Sequence, residues 1–79
     1  MRIGKWRRSQ TSNGYYMKLS SKVPIFIRYE LNEFENQRVY DVLRKDGLDG
    51  NLYLLKRLYT INEAEQYMIQ YMKNHPYGW

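Results

Sequence analysis

Between Tyr15 and Leu31 hydrophobic positions recur every second residue, and after Thr60 they recur every third or fourth. The first spacing puts side chains on alternate faces of a strand, and the second gathers them on one side of a helix. Tyr15, Met17 and Leu19 therefore share one strand face, with Tyr16, Lys18 and Ser20 on the other. Pro24 opens a second strand, where a missing backbone donor is tolerated. In it Ile25, Ile27, Tyr29 and Leu31 alternate with Phe26, Arg28 and Glu30. Arg38 to Arg44 repeats the pattern, with Val39, Asp41 and Leu43 against Tyr40 and Val42. Leu52 to Tyr59 carries leucine or tyrosine on both faces, which fits a central strand or one covered on both sides. Ile3 to Ser9 reads as an initial strand with weaker alternation.

Turn signals separate these runs. Asn13-Gly14 tolerates the positive φ angles of a type I′ hairpin turn. A two-residue turn there pairs Ser12 with Tyr15, and so sets Arg8 opposite Leu19 and Arg7 opposite Ser20. In that register Trp6 joins Met17 and Leu19 on the core face, while Lys5, Arg7, Tyr16 and Lys18 collect on the other. Arg8 shares the core face and is expected at the sheet's rim, its stem packed and its head in water. Asn32 to Gln37 is polar and acidic and is expected to turn, as are Asp46-Gly47 and Asp49-Gly50.

The segment from Thr60 to Glu63 is a capping box, in which the threonine oxygen accepts from the Glu63 amide. Ile61, Ala64, Met68, Tyr71 and Met72 then form one apolar helical stripe, wanted for the core, until Pro76 stops the helix. These elements predict an α+β fold. A small antiparallel sheet of four to five strands carries one C-terminal α-helix on one face, within a single domain of residues 1–79. Residues 76–79 are expected as a short flexible tail.

At 79 residues the chain buries only about 60% of the surface exposed by its unfolded form. It has no cysteine, which excludes disulfides and thiolate metal sites and fits a reducing compartment. The opening residues are basic with no apolar run behind them, unlike a secretory signal. No stretch approaches the roughly 20 apolar residues of a membrane span. A cytoplasmic protein with no membrane partner is the expectation.

Charge changes the picture most. The first 22 residues hold six basic side chains (Arg2, Lys5, Arg7, Arg8, Lys18 and Lys22) and no acidic one, so the net +5 arises at one end of the chain. Trp6, Tyr15 and Tyr16 are interleaved with them. A field of one sign beside flat rings suits a polyanion, and nucleic acid is the commonest. The expected contacts are Lys5, Arg7, Arg8, Tyr16, Lys18, Lys22 and Arg28, with Tyr16 and Phe26 able to stack on unpaired bases. A solvated strand face that keeps the sheet soluble is the plainer alternative, and an acidic protein partner is a third.

Catalysis is not expected. His75 is the only histidine, and at the helix C-terminus it is placed to cap free carbonyls. Glu30, Glu33, Glu35 and Asp41 read as a solvated acidic loop, because no spacing makes them converge as metal ligands. The stretch Asp46 to Gly50 lacks the acidic spacing of a calcium loop. The reading is therefore a small non-enzymatic protein without metal or cofactor, binding single-stranded or structured nucleic acid. The alternative is a protein-interaction module, an adaptor, small inhibitor or homodimer. It would use the chain's nine tyrosines, above all Tyr53, Tyr59 and Tyr67, with Leu55.

Overall fold

The computed structural model describes residues 2–10, 13–18, 24–45 and 51–78. Its strands are β1 (Arg2–Ile3), β2 (Trp6–Arg8), β3 (Gly14–Lys18), β4 (Pro24–Phe34), β5 (Gln37–Lys45) and β6 (Leu52–Leu58). One helix follows, α1 (Ile61–Asn74). All neighbours pair antiparallel in the order β1-β2-β3-β4-β5-β6, an uninterrupted meander. The α+β architecture is the one the sequence predicts, with the two-residue β1 added as a stub at one edge. Among the described residues no helix is long and apolar enough to cross a membrane.

The core lies between the sheet and α1. Trp6, Met17, Ile27, Val42, Ala64, Met68 and Met72 are fully buried, with Tyr15 and Ile25 nearly so. Every one of the sheet members falls on a single face by strand alternation. Ala64, Met68 and Met72 follow at i, i+4 and i+8, the row a helix lays on a sheet. Ile61, expected in that stripe, is half exposed, because it is the first helical residue and projects past the packed region. The capping box forms: Thr60 Oγ1 accepts from the Glu63 amide at 3.1 Å and donates to Glu63 Oε1 at 3.0 Å. At the other end His75 caps as expected, with Nδ1 lying 2.9 Å from the Tyr71 carbonyl oxygen and the two rings stacked at 4.3 Å.

Two further sequence expectations are corrected. The first hairpin pairs Arg7 with Tyr16 and Arg8 with Tyr15, in place of Arg8 with Leu19. Asn13-Gly14 is not its turn. Gly14 belongs to β3, where a Cβ would collide with the backbone of Ile27 and Arg28 on β4. The Gly14 carbonyl accepts from the Ser9 amide at 2.9 Å, and the Asn13 carbonyl from the Tyr29 amide at 3.0 Å. The slip is by an even number of residues, from position 19 to position 15 opposite Arg8, so Trp6, Arg7, Arg8 and Tyr15 to Lys18 keep their predicted faces.

The second correction concerns Asn32 to Gln37. β4 continues through Phe34, and the turn is only Glu35-Asn36, with φ of 51° and 62°. Both central residues are left-handed, as a type I′ turn requires, and Phe34 pairs with Gln37. Asp41 accordingly sits within β5 and not in a solvated loop. It is 4% exposed and takes hydrogen bonds from Arg57 at 2.7 Å and Asn32 at 2.9 Å. The Arg57 bonds hold its carboxyl below the usual range, against the opposing effect of burial.

At the C-terminus the Pro76 carbonyl accepts from the Lys5 amide at 3.1 Å, and the His75 carbonyl accepts from Gly78 N at 3.2 Å. Gly4, with φ of +55°, opens the β1–β2 turn in the manner of a type II′ turn. A side chain there would run into Pro76.

Candidate nucleic-acid interface

The helix covers one face of the sheet, and among the described residues no other element packs on the second face, although Val39 and Asp41 are buried on it. Strand registers define what the open face displays. Arg7 pairs with Tyr16, Tyr16 with Phe26, Phe26 with Lys45, and Lys45 with Leu52. These five residues form one row across β2 to β6. The parallel row beside it runs from Gly14 through Arg28 and Leu43 to Leu54. Directly paired residues on one face lie within side-chain contact of each other.

The Tyr16 and Phe26 rings are the middle of the first row. Their centroids are 6.4 Å apart with a tilt of 41°, and both rings are half buried. Arg7 flanks them on one side and Lys45 on the other. Lys5, Arg7, Tyr16 and Lys18 line an open cleft of about 440 Å³. A second depression of about 440 Å³ shares Tyr16 and Lys18 with it and is completed by Arg8, Ser9, Gln10, Pro24 and Phe26. Among the described residues no carboxylate lies within ion-pair distance of Lys5, Arg7, Lys18 or Lys45. Among the described residues these charges therefore have no carboxylate partner.

Arg28 faces the same way but is held differently. Its Nη2 donates to Glu30 Oε1 at 2.8 Å, two residues along the same strand face. Its Nε is buried and has no hydrogen-bond partner. The Glu30 carboxylate therefore marks the border of the basic region. Beyond it the face is closed by Asp41 and Arg57, with the Arg57 guanidinium 4.2 Å from the Phe34 ring centroid.

Arg8 does not join the stripe. It stands on the helix-covered face, where alternation from Trp6 places it. There its Nη1 donates to Tyr15 Oη at 3.1 Å and to Glu65 Oε1 at 3.2 Å, while the Tyr15 hydroxyl donates to Glu65 Oε2 at 3.2 Å. The bond to Tyr15 and the carboxylate beside it raise the Arg8 pKa, and burial raises that of Tyr15. This triangle pins β2 to α1 at the rim of the sheet. Lys22 lies outside the described residues.

The groups expected at a protein interface divide. Tyr59 is 56% exposed and Tyr53 38%, with the Arg44 guanidinium 5.1 Å from the Tyr53 ring centroid. Leu55 and Tyr67 are half buried and pack against the core. Leu58, like Leu55, packs against the core, and the β5–β6 register shift opposite Val42 and Leu43 sets Leu58 opposite Tyr40, while Leu52 and Leu54 stay exposed opposite Lys45 and Leu43. Sequence reading missed Lys45 because it ended that strand at Arg44; continuing the alternation of Val39, Asp41 and Leu43 by one step finds it.

No protein-family model, no curated protein and no solved structure matches this chain.

Proposed function

We propose that the protein is a small non-enzymatic binder of single-stranded nucleic acid, acting in the cytoplasm through the open face of its sheet. The row Arg7–Tyr16–Phe26–Lys45 carries this reading. It sets two adjacent rings between cations, so bases can lie on the rings while phosphates meet Arg7, Lys18, Lys5 and Lys45. Base stacking on such rings contributes about 1–3 kcal/mol per base, and every base has a face to offer. Phosphate contacts add affinity without sequence preference.

Duplex readout fits less well. A major groove admits a helix or a two-stranded ribbon. The one helix among the described residues spends its apolar row on the core, and its outer residues include Asn62, Glu63, Gln66 and Gln70. The sheet surface instead resembles in kind the platforms on which unpaired bases are splayed. Tyr16→Ala and Phe26→Ala test the reading: at a temperature where each variant is still folded, each should weaken binding to a single-stranded oligonucleotide at least fivefold. Unchanged affinity in both variants would refute it.

A protein partner is a second reading, favoured by one observation. β6 is the last strand of the sheet and pairs only with β5 among the described residues, yet it exposes Leu52, Leu54 and Tyr53. Edge strands are usually guarded by charge. Tyr53→Ser and Tyr59→Ser should weaken such an association without unfolding the domain, and complexes intact after both changes would exclude this edge.

A further inference from the structure

The C-terminal turn puts an aromatic ring where the sequence pattern places none. Tyr77 is 73% exposed and adds nothing to the core. Its backbone nevertheless is held firmly. The His75 carbonyl receives both the Trp6 indole Nε1, at 2.7 Å, and the Gly78 amide, at 3.2 Å. The Pro76 carbonyl receives the Lys5 amide, and a β-bridge joins Pro76 to Gly78. Gly4 has no side chain where Pro76 comes close, so the turn lies flat against the β1–β2 connection.

This anchoring fixes the ring beside Lys5. The Lys5 ammonium is 5.9 Å from the Tyr77 ring centroid, within cation–π range. Lys5 also lines the cleft with Arg7, Tyr16 and Lys18. The ammonium thus stands between the cleft and the ring. A phosphate held by Lys5 would leave the next base of the strand over Tyr77. A rigid backbone that displays a mostly exposed aromatic ring is the arrangement of a platform, since the ring loses little freedom when a base settles on it.

We infer that the nucleic-acid path does not end on the sheet but continues past Lys5 onto the C-terminal turn, with Tyr77 as a third base platform. This rests on the single-strand reading above and enlarges its ligand. The preferred substrate is a strand long enough to reach from Phe26 across Tyr16 and Lys5 to Tyr77. A two- or three-nucleotide fragment fills only the sheet rings.

Fluorescence anisotropy with labelled oligothymidylates of about three and about ten nucleotides separates the possibilities, the longer lying within the site sizes of single-strand binders. Tyr77→Ala should lose about fivefold or more in affinity for the long oligomer and nothing for the short one. Tyr77→Phe, which keeps the ring, should bind both as the wild type does. Equal binding of wild type and Tyr77→Ala at both lengths overturns the inference, as does an equal loss at both lengths. If Tyr16→Ala still weakens binding in either case, the sheet reading stands alone. If wild-type protein binds neither oligomer at low salt, both readings fall together.

Discussion

The Trp6 indole nitrogen donates to the carbonyl oxygen of His75 at 2.7 Å, joining the second strand to the end of the helix across almost the whole chain. Trp6 is fully buried, so this bond forms where a lost partner is costly. Trp6→Phe retains an aromatic ring and removes the donor. It should cost about 1–3 kcal/mol, and Trp6→Ala about 3–5 kcal/mol. In a domain of this size each kilocalorie lowers the melting temperature by roughly 4–8 °C, so thermal unfolding by circular dichroism reads both changes. A Trp6→Phe midpoint equal to wild type would mean the closure contributes nothing.

Asp41 gives the fold a pH dependence. Its carboxyl is held below the ordinary value by hydrogen bonds from Arg57 and Asn32. A depressed folded-state pKa stabilises above the unfolded value, about 4, and that contribution is lost as pH falls through the folded value. Stability should therefore decline below about pH 4. Asp41→Asn should flatten that decline and lower stability at pH 7. Urea midpoints measured from pH 7 down to pH 3 test the sign; parallel curves for the two proteins would show that another group dominates.

Gly14 lies opposite Arg28 in the β3–β4 pair. A Cβ there would overlap the Ile27 carbonyl and the Arg28 backbone. Gly14→Ala should therefore spread the strands that carry Tyr16 and Phe26, destabilise the protein by at least about 1 kcal/mol, and weaken oligonucleotide binding as well. Gly78→Ala, remote from this pair, should leave the Tyr16–Phe26 geometry intact. Amide exchange across β3 and β4 distinguishes local spreading from global loss.

Glu30 restrains the Arg28 guanidinium on the open face at 2.8 Å. Glu30→Gln removes a negative charge from the border of the basic region and releases the arginine. Affinity for a single strand should rise severalfold, and the dependence on salt should steepen by up to about 0.7 in log–log slope if Arg28 gains one phosphate. Unaltered affinity and slope would place Arg28 outside the binding path.

Most of the fold was legible in the sequence because parity outlives register. Alternation put Tyr15 and Met17 on one face, the assumed hairpin register added Trp6 to it, and the even slip of that hairpin left all three there. The same parity gathered Lys5, Arg7, Tyr16 and Lys18 around one cleft. The turn of the first hairpin was not legible, and the second was placed only to within Asn32 to Gln37. Asn-Gly is the strongest local signal for a hairpin, yet the left-handed pair is Glu35-Asn36, and Gly14 is needed for its lack of a side chain within the sheet. Tyr77 was hidden for another reason. Its position depends on hydrogen bonds between residues 5–6 and 75–76, which no local pattern encodes.

The most direct test of the central claim is a salt titration of single-stranded oligonucleotide binding by the wild type and by the Arg7→Glu, Lys18→Glu double variant. The open-face account predicts submicromolar wild-type binding at low salt, a linear log–log decline with a slope of about −2 to −3 for three or four phosphate contacts, and near-complete loss in the folded double variant. Wild-type binding that ignores salt, or a double variant that binds as tightly as wild type, would contradict it.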